Sequence, residues 1–224
     1  MKVKNLHSWD LSYSQARELQ NKLAGQVKFT PIRKKPKLIA GLDCALSKDD
    51  KKIYAAVIVL KLPEFELVET AGAVRKLTFP YIPGLLSFRE GPVCTAAVGK
   101  LESRPDIFII DGQGIAHPRR LGLAAHLGLF FDRPTIGCAK SRLTGTYKEP
   151  PVLKGTYSQL MDGEDIIGAV VRTRTNVKPV FISVGNKCLL EDAVMITLAC
   201  AVKYRLPEPT RLAHQTVGKL KQDS

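Results

Sequence analysis

The sequence has few cysteines, no Cys-x-x-Cys pair and no long hydrophobic run. Its five cysteines are an odd number scattered along the chain, which argues against a disulfide framework and against a zinc ribbon or finger. We therefore expect reduced, mostly buried thiols. The longest apolar runs, 55–60 and 196–202, are far shorter than the roughly 20 residues that a membrane span needs. No apolar signal region follows Met1, so we expect a cytoplasmic protein that does not enter membranes.

Acidic residues are scarce relative to basic ones. The 224 residues include 34 Lys and Arg but 21 Asp and Glu, which gives a net charge of +13. Residues 1–37 hold nine of the basic residues and two of the acidic ones. A basic protein of this size attracts polyanions, with nucleic acid first among them. The charge indicates a partner but no activity, because a ribosome-associated scaffold would show the same excess.

The order of apolar segments predicts an α/β fold with one mixed sheet and helices on both of its faces. We expect a single domain over 1–224, with a basic helical lead-in over about 1–37. Short links favour three antiparallel strands first, and the later strand–helix alternation favours parallel strands with right-handed crossovers. Strands are predicted over 37–43, 53–60, 67–77, 106–110 and 134–139, with a hairpin-like pair over 166–174 and 179–184. Helices are predicted over 11–24, 88–102, 118–127 and 189–204.

Two aspartates stand in or directly after apolar strands. Asp43 lies within the apolar stretch 39–45, and Asp111 follows 108–110 where the next buried strand ends. A buried carboxylate must be paired, protonated or bound to a metal. Each aspartate alone also fits a residue that caps a turn at a strand end. Because ligands collect at the carboxyl ends of strands in open sheets, the pair indicates a shared cleft.

Glu90 allows two interpretations. The string Ser87-Phe88-Arg89-Glu90 fits the S-x-x-E capping box at a helix start. The same glutamate is placed to point at Asp43 and Asp111. Three convergent carboxylates require a divalent cation, and oxygen ligands suit magnesium or manganese. With the basic surface, this set indicates metal-assisted phosphodiester hydrolysis.

Three further residues are weaker candidates. Lys140 follows the strand at 134–139 and would emerge on the same edge as Asp111, where its ammonium could hold a phosphate, although a surface lysine is the commoner case. His214 fits a metal ligand, a proton carrier or a polar helix face. His117 precedes Pro118 near the glycine-rich segment 112–114 and is a candidate pocket wall.

The segment 79–86 is hard to explain by packing alone. Pro83 and Gly84 predict a tight turn, which would hold Tyr81 and Ile82 in an exposed, rigid loop. An aromatic ring can stack on a base, and apolar wedges open a duplex. The alternative is a loop whose ring is buried in the core.

Four strings of this sequence resemble the endonuclease V family, the deoxyinosine 3′ endonucleases. They span most of the chain, in the order of the family: 40–43 (AGLD), 80–90 (PYIPGLLSFRE), 111–122 (DGQGIAHPRRLG) and 137–140 (GCAK). The resemblance implies a ribonuclease H-like fold. It also implies that Asp43, Glu90 and Asp111 are catalytic metal ligands, and that Lys140 and His214 lie at the active site.

The resemblance also implies how a lesion is read. Tyr81, Ile82, Pro83 and Gly84 would form the wedge that separates the strands. The altered base would be turned out into a pocket lined by Leu86, Gly112, His117, Gly122, Gly137 and Leu143. The resemblance is less informative at two positions. Cys44 stands where an aliphatic residue is expected, which suggests a site sensitive to oxidation. Gln113 is assigned no role.

The reaction implied by the resemblance is DNA repair. Deoxyinosine would be recognised and the second phosphodiester bond on its 3′ side hydrolysed, with magnesium as cofactor and manganese as a substitute, leaving 3′-hydroxyl and 5′-phosphate ends. We expect a monomer. One alternative is a ribonuclease acting mainly on inosine-containing RNA. Another is a nucleic-acid-binding protein without activity, whose binding would survive chelation.

Overall fold

The computed structural model describes residues 1–223, which form one eight-stranded sheet and five helices. The strands are β1 (Leu38–Leu46), β2 (Lys52–Lys61), β3 (Glu66–Lys76), β4 (Ile107–Ile110), β5 (Thr135–Ala139), β6 (Tyr157–Asp162), β7 (Asp165–Val171) and β8 (Val180–Asn186). The helices are α1 (Tyr13–Ala24), α2 (Leu86–Gly99), α3 (Leu123–Phe131), α4 (Leu190–Cys200) and α5 (Glu208–Gln222).

The strand order across the sheet is β3-β2-β1-β4-β5-β8-β7-β6. The first three strands pair antiparallel, and β4 and β5 then add parallel to β1, as the sequence predicts. The predicted hairpin-like pair is also present, because β7 and β8 are antiparallel neighbours. The edge strand β6 was not predicted from the sequence. Its residues are mostly polar and only Leu160 is fully buried, so no apolar run marked it.

Helices cover both faces of the sheet, as predicted. Alternate side chains of β1 enter different cores: Ala40 and Leu42 pack with residues of α2 and α3, while Ile39 packs with residues of α4 and α5. Because both faces of β2 are also covered, residues 53–60 are buried without interruption. This explains why the strand reads as a continuous apolar run.

The helix predicted over 118–127 is misplaced. Residues 118–122 form a turn in which Arg120 has φ +56°, and α3 begins after Gly122. Gly128, the residue directly after the predicted helix, lies inside α3. A Cβ at that position would lie 2.6 Å from the Cβ of Asn186, so the glycine serves close packing of the helix against β8.

The helix predicted over 189–204 ends at Cys200, and a further helix, α5, begins at Glu208. The first turn of α5 lies against the backbone of β1 at Gly41. A Cβ there would overlap the carbonyl group of Pro209 and lie 2.7 Å from the nitrogen of Thr210. The absence of a side chain at Gly41 therefore lets α5 approach β1 closely.

All five cysteines are free, and four of them are buried, as expected from their number and spacing. Cys44 is partly exposed, and its Sγ lies 3.2 Å from that of Cys94 on α2. Within residues 1–223, no helix combines the length and the apolar character that crossing a bilayer requires.

A pair of histidines, the half-buried His7 and the buried His126, joins the N-terminal segment to α3. The Nε2 atoms of His7 and His126 lie 2.8 Å apart, and Nδ1 of His126 is hydrogen-bonded with Oγ of Ser87 at 2.9 Å. His126 is fully buried, and burial first, then the neighbouring His7, lowers its pKa to about 3. His126 therefore stays neutral in the folded protein at pH values where the same side chain of the unfolded chain, with a pKa of 6.5, binds a proton.

We expect acid to weaken the wild-type protein through His126. Between the two pKa values the unfolded state binds the extra proton, so the free energy of unfolding falls by about 1.4 kcal/mol for each pH unit. Urea unfolding of wild type and His126→Gln at pH 7 and pH 5 measures this effect. The stability advantage of wild type should shrink by about 2 kcal/mol at pH 5. An equal advantage at both pH values contradicts the prediction, since shifts of other groups cancel in the difference.

Candidate active site

The end of β4, where its pairing with β1 stops, brings two carboxylates together. In the parallel register Leu42 lies opposite Ile110, so Asp43 and Asp111 follow at the same edge of the sheet. The amide of Asp111 donates to the carbonyl of Leu42 at 3.0 Å, which extends the pairing to this point. His214 on α5 joins them, and one ligand atom from each of the three residues lies within 4.8 Å of the others.

Asp43 is held by two hydrogen bonds although it is buried. Its Oδ2 is hydrogen-bonded with Nδ1 of His214 at 2.7 Å, and its Oδ1 accepts from the amide of Cys44 at 2.7 Å. Burial disfavours the charged form and is the largest cause that raises the pKa of Asp43 to about 6; the charge of Asp111 adds to it. The sequence analysis names Asp43 and His214 as candidates but does not predict the direct contact between them.

Lys140 lies beside Asp111, as its place after β5 predicted, and its Nζ donates to Oδ2 of Asp111. This segment is held by Arg205, which the sequence did not mark, and by Gln113, to which the sequence analysis assigns no role. Arg205 donates to the carbonyl of Lys140 at 2.7 Å, and Nε2 of Gln113 donates to the carbonyl of Ser141 at 2.9 Å. No local motif marked Arg205, because its partner is 65 positions away.

Glu90 does not form the capping box that its sequence allowed. The helix α2 begins one residue before Ser87, and the Ser87 hydroxyl is hydrogen-bonded with His126 instead of capping the helix. Burial, followed by the charges of Asp43 and Asp111, raises the pKa of Glu90 to about 8. The charges of Asp43 and Asp111 therefore act on Glu90, although it is not among the three side chains whose ligand atoms lie within 4.8 Å.

The chemistry of this donor set fits a divalent cation. Asp43 and Asp111 offer carboxylate oxygens, His214 offers an imidazole nitrogen, and Glu90 adds a third carboxylate nearby. Burial first, and then repulsion between the acids, raises the pKa values of Asp43 and Glu90, so a further positive charge would stabilise their charged forms. A hard cation that prefers oxygen ligands would supply the missing charge.

Residues 80–85 are called the wedge loop from here on. They contain the tight turn at Pro83 and Gly84 that the sequence predicts. The amide of Leu85 donates to the carbonyl of Ile82 at 2.9 Å across Pro83 and Gly84, and Gly84 has φ +80°. The side chain of Tyr81 is 70% exposed, so the alternative of a buried ring is wrong. Arg89 lies over this ring, with its guanidinium carbon 5.8 Å from the centroid.

Ile82 differs from its predicted exposure. It is half-buried and packs against a small core formed by residues of α1, the wedge loop and α2. Apolar contact on this side anchors the loop, while Tyr81 points into solvent. The wedge loop therefore exposes the ring of Tyr81, while Ile82 attaches the loop to the core.

The residues predicted to form a base pocket fall into two groups. Backbones meet closely at the glycines: a Cβ at Gly137 would lie 2.8 Å from the carbonyl oxygen of Gly112, and one at Gly122 would lie 2.7 Å from that of Gly114. Leu86 and Leu143 are instead exposed, at 39% and 51%.

His117 connects residues 112–122, called the pocket segment from here on, to the wedge loop. Its Nδ1 accepts from the amide of Arg119 at 3.1 Å, so its proton resides on Nε2, which donates to the carbonyl of Gly84 at 3.0 Å. Burial is the main cause that lowers the pKa of His117 to about 4, which keeps the ring neutral and the tautomer fixed.

Comparison with known proteins gives consistent similarities along the chain. The Endonuclease V family model matches residues 21–215. An endonuclease V of Methanothrix thermoacetophila is 47% identical over 214 residues, which cover 96% of this chain and 94% of that protein. The crystal structure of endonuclease V from Streptomyces avermitilis superposes with a TM-score of 0.92 at 38% identity, covering 100% of this chain and 99% of that one. The predicted ribonuclease H-like fold is thereby confirmed.

A further solved relative carries nucleic acid. It is endonuclease V of Ciona intestinalis in complex with a 23mer DNA containing an inosine followed by a ribo-adenosine. That structure superposes with a TM-score of 0.80 at 30% identity, and the match covers 95% of this chain and 99% of the other.

Proposed function

Because this chain belongs to the endonuclease V family and is a nuclease, we propose that it nicks DNA beside deaminated bases such as deoxyinosine. The cut would fall at the second phosphodiester bond on the 3′ side of the lesion. The observation that carries the proposal is the convergence of Asp43, Asp111 and His214 at one sheet edge of a strongly basic protein. The inosine-containing DNA bound to the Ciona intestinalis relative supports the same substrate class.

The acidic residues are proposed to hold Mg²⁺, for which Mn²⁺ would substitute. Asp43, Asp111 and Glu90 would bind the ion through oxygen. When bound, the ion would lower the pKa of a water and offset charge on the leaving oxygen. Lys140 sits at Asp111, where its ammonium can hold a substrate phosphate as a point charge. His214 shares a hydrogen bond with Asp43 and can keep or release a proton at Nδ1.

Lesion recognition is proposed to use the wedge loop and the glycine-lined segment. Tyr81 would enter the base stack while the altered base turns out toward Gly112, Gly122 and Gly137. A mispaired base is less expensive to unstack than a paired one, which favours the lesion. At Gly122 and Gly137 a Cβ would overlap the backbone of residues 112–114, so these glycines let the segments pack closely.

Incubation with matched duplexes tests the proposed function. One duplex carries a single deoxyinosine and the other carries none, and each is assayed with magnesium, with manganese and with a chelator. We expect one nick at the second bond 3′ to deoxyinosine, with 3′-hydroxyl and 5′-phosphate ends, and no cleavage after chelation. Equal cutting of both duplexes, or cutting in the chelator, contradicts the proposal.

A second candidate is cleavage of inosine-containing RNA. The nucleic acid of the Ciona intestinalis complex has a ribo-adenosine after its inosine, so that relative accepts a 2′-hydroxyl at this position. Discrimination depends on contacts to that hydroxyl. Parallel assays on DNA, on DNA with one ribonucleotide after inosine, and on RNA decide between the substrates through their kcat/KM values.

A further inference from the structure

The carbonyl oxygen of Gly84 receives three side-chain donors. Nε2 of Gln20 lies 3.0 Å away, Nε2 of His117 lies 3.0 Å away, and a terminal nitrogen of Arg119 lies 2.7 Å away. Gly84 is also the residue of the wedge loop with φ +80°, and a Cβ there would lie 2.6 Å from Arg119. The donors therefore fix the loop at the point where its backbone turns.

Gln20 contributes more than one of these contacts. It is 1% exposed, although it belongs to α1 in the basic lead-in. Its Nε2 also donates to the carbonyl of Leu121 at 2.7 Å, and its Oε1 accepts from Nε of Arg119 at 2.5 Å. Leu121 directly precedes Gly122, one of the residues predicted to line the base pocket. One buried amide therefore joins the wedge loop to the pocket segment.

The helix does not depend on Gln20 for its own attachment. Ala16 packs in the core that contains Phe88, and Leu23 packs in the core that contains Leu121. These apolar contacts lie on either side of Gln20 along α1 and hold the helix to the domain. The hydrogen bonds of Gln20 therefore serve mainly to hold Gly84 of the wedge loop close to Leu121.

We propose that Gln20 is a positioning residue that sets the wedge loop at a fixed distance from the base pocket. This inference rests on the proposed function, because it assigns a purpose to that spacing. A ring that enters the stack and a pocket that receives the base must be placed together, since misplacement by about 1 Å can lower a rate up to a hundredfold. The effect reaches the substrate only through Tyr81 and the pocket segment.

Gln20→Met tests the proposal, because methionine keeps the length of the side chain but has no amide. Gln20→Glu is the second variant: it retains an acceptor for Arg119 but places a carboxylate oxygen against the carbonyls of Gly84 and Leu121. Gln15→Met is the matched control on the same helix. Its amide oxygen accepts from the backbone nitrogen of Ser12 in the α1 capping box.

Two readouts separate positioning from general stability. Hydrogen exchange of the backbone amides in the wedge loop, at positions 81, 82, 84 and 85, should become about tenfold faster in both Gln20 variants and stay unchanged in Gln15→Met in the free protein. Single-turnover cleavage of the deoxyinosine duplex should fall about tenfold in the Gln20 variants, while the Kd for lesion-free duplex stays the same.

Unchanged exchange in the wedge loop of the Gln20 variants would overturn the inference. So would cleavage rates that track the melting temperature equally in Gln20→Met and Gln15→Met. Failure of wild type to cut the deoxyinosine duplex would refute the proposed function instead. The exchange measurement needs no DNA, so it decides independently whether Gln20 anchors the loop.

Discussion

Asp43→Asn is expected to lower metal-dependent cleavage of the deoxyinosine duplex by about a thousandfold or more, because a cation contributes several kcal/mol of transition-state stabilisation. The amide keeps the size of the side chain and can still pair with His214. It removes the negative charge that would bind the ion. Single-turnover rates at saturating magnesium measure the loss.

The stability of Asp43→Asn should move in the opposite direction. The pKa of Asp43 is about 6 in the folded protein, above its ordinary 3.8, so the folded state favours the protonated form. This contribution to stability is present at low pH and is lost as the pH rises through 6. At pH 7.5 without metal, the variant should therefore melt at or above the temperature of wild type.

Asp50→Asn is the matched control for charge and shape. Asp50 is exposed in the turn between β1 and β2 and has φ +53°, which asparagine also adopts readily. It should leave cleavage unchanged. Loss of activity in Asp50→Asn, or retained activity in Asp43→Asn, would show that the acidic site is not the centre of hydrolysis.

Tyr81→Ala is expected to lower cleavage of the deoxyinosine duplex by about tenfold to a hundredfold, because an aromatic ring stacked on a base contributes about 1–3 kcal/mol. Binding to lesion-free duplex should change little, since phosphate contacts by basic residues supply most of that affinity. Single-turnover cleavage and fluorescence anisotropy on the two duplexes separate these quantities.

Two variants control for the loss of an exposed aromatic ring. Tyr81→Phe keeps the ring and should retain cleavage near the wild-type rate. Tyr157→Ala removes a tyrosine on β6 that is 53% exposed, compared with 70% for Tyr81, and should have no effect. An equal loss of lesion cleavage and general binding in Tyr81→Ala would contradict the wedge role.

The sequence predicts the centre of the sheet well, because the signals there are local. Strands covered on both faces read as apolar runs, and Asp43 within β1 and Asp111 directly after β4 stand out against them. Parallel pairing then places Asp43 and Asp111 at one edge without knowledge of any side-chain contact. The turn at Pro83 and Gly84 is local in the same way.

Features that depend on distant partners were missed or misplaced. Gln20 looks like an ordinary polar residue of α1, and its partners Gly84 and Leu121 lie 64 and 101 positions away. Gly128 resembles a glycine at a helix end, because the residue that it packs against, Asn186 on β8, is far away in the sequence. Ile82 is predicted to be exposed, because the sequence does not show the core around Phe88 against which it packs. Tertiary packing decides each of these positions.

The close approach of α5 to Gly41 has a consequence for when the protein becomes active. His214 arrives at Asp43 from 171 positions further along the chain. A ribosome completes all eight strands before it adds residues 208–222, so a nascent chain can form the sheet while it lacks the imidazole of the centre. We therefore expect the site to be complete only after α5 is added, since His214 is synthesised after every strand of the sheet.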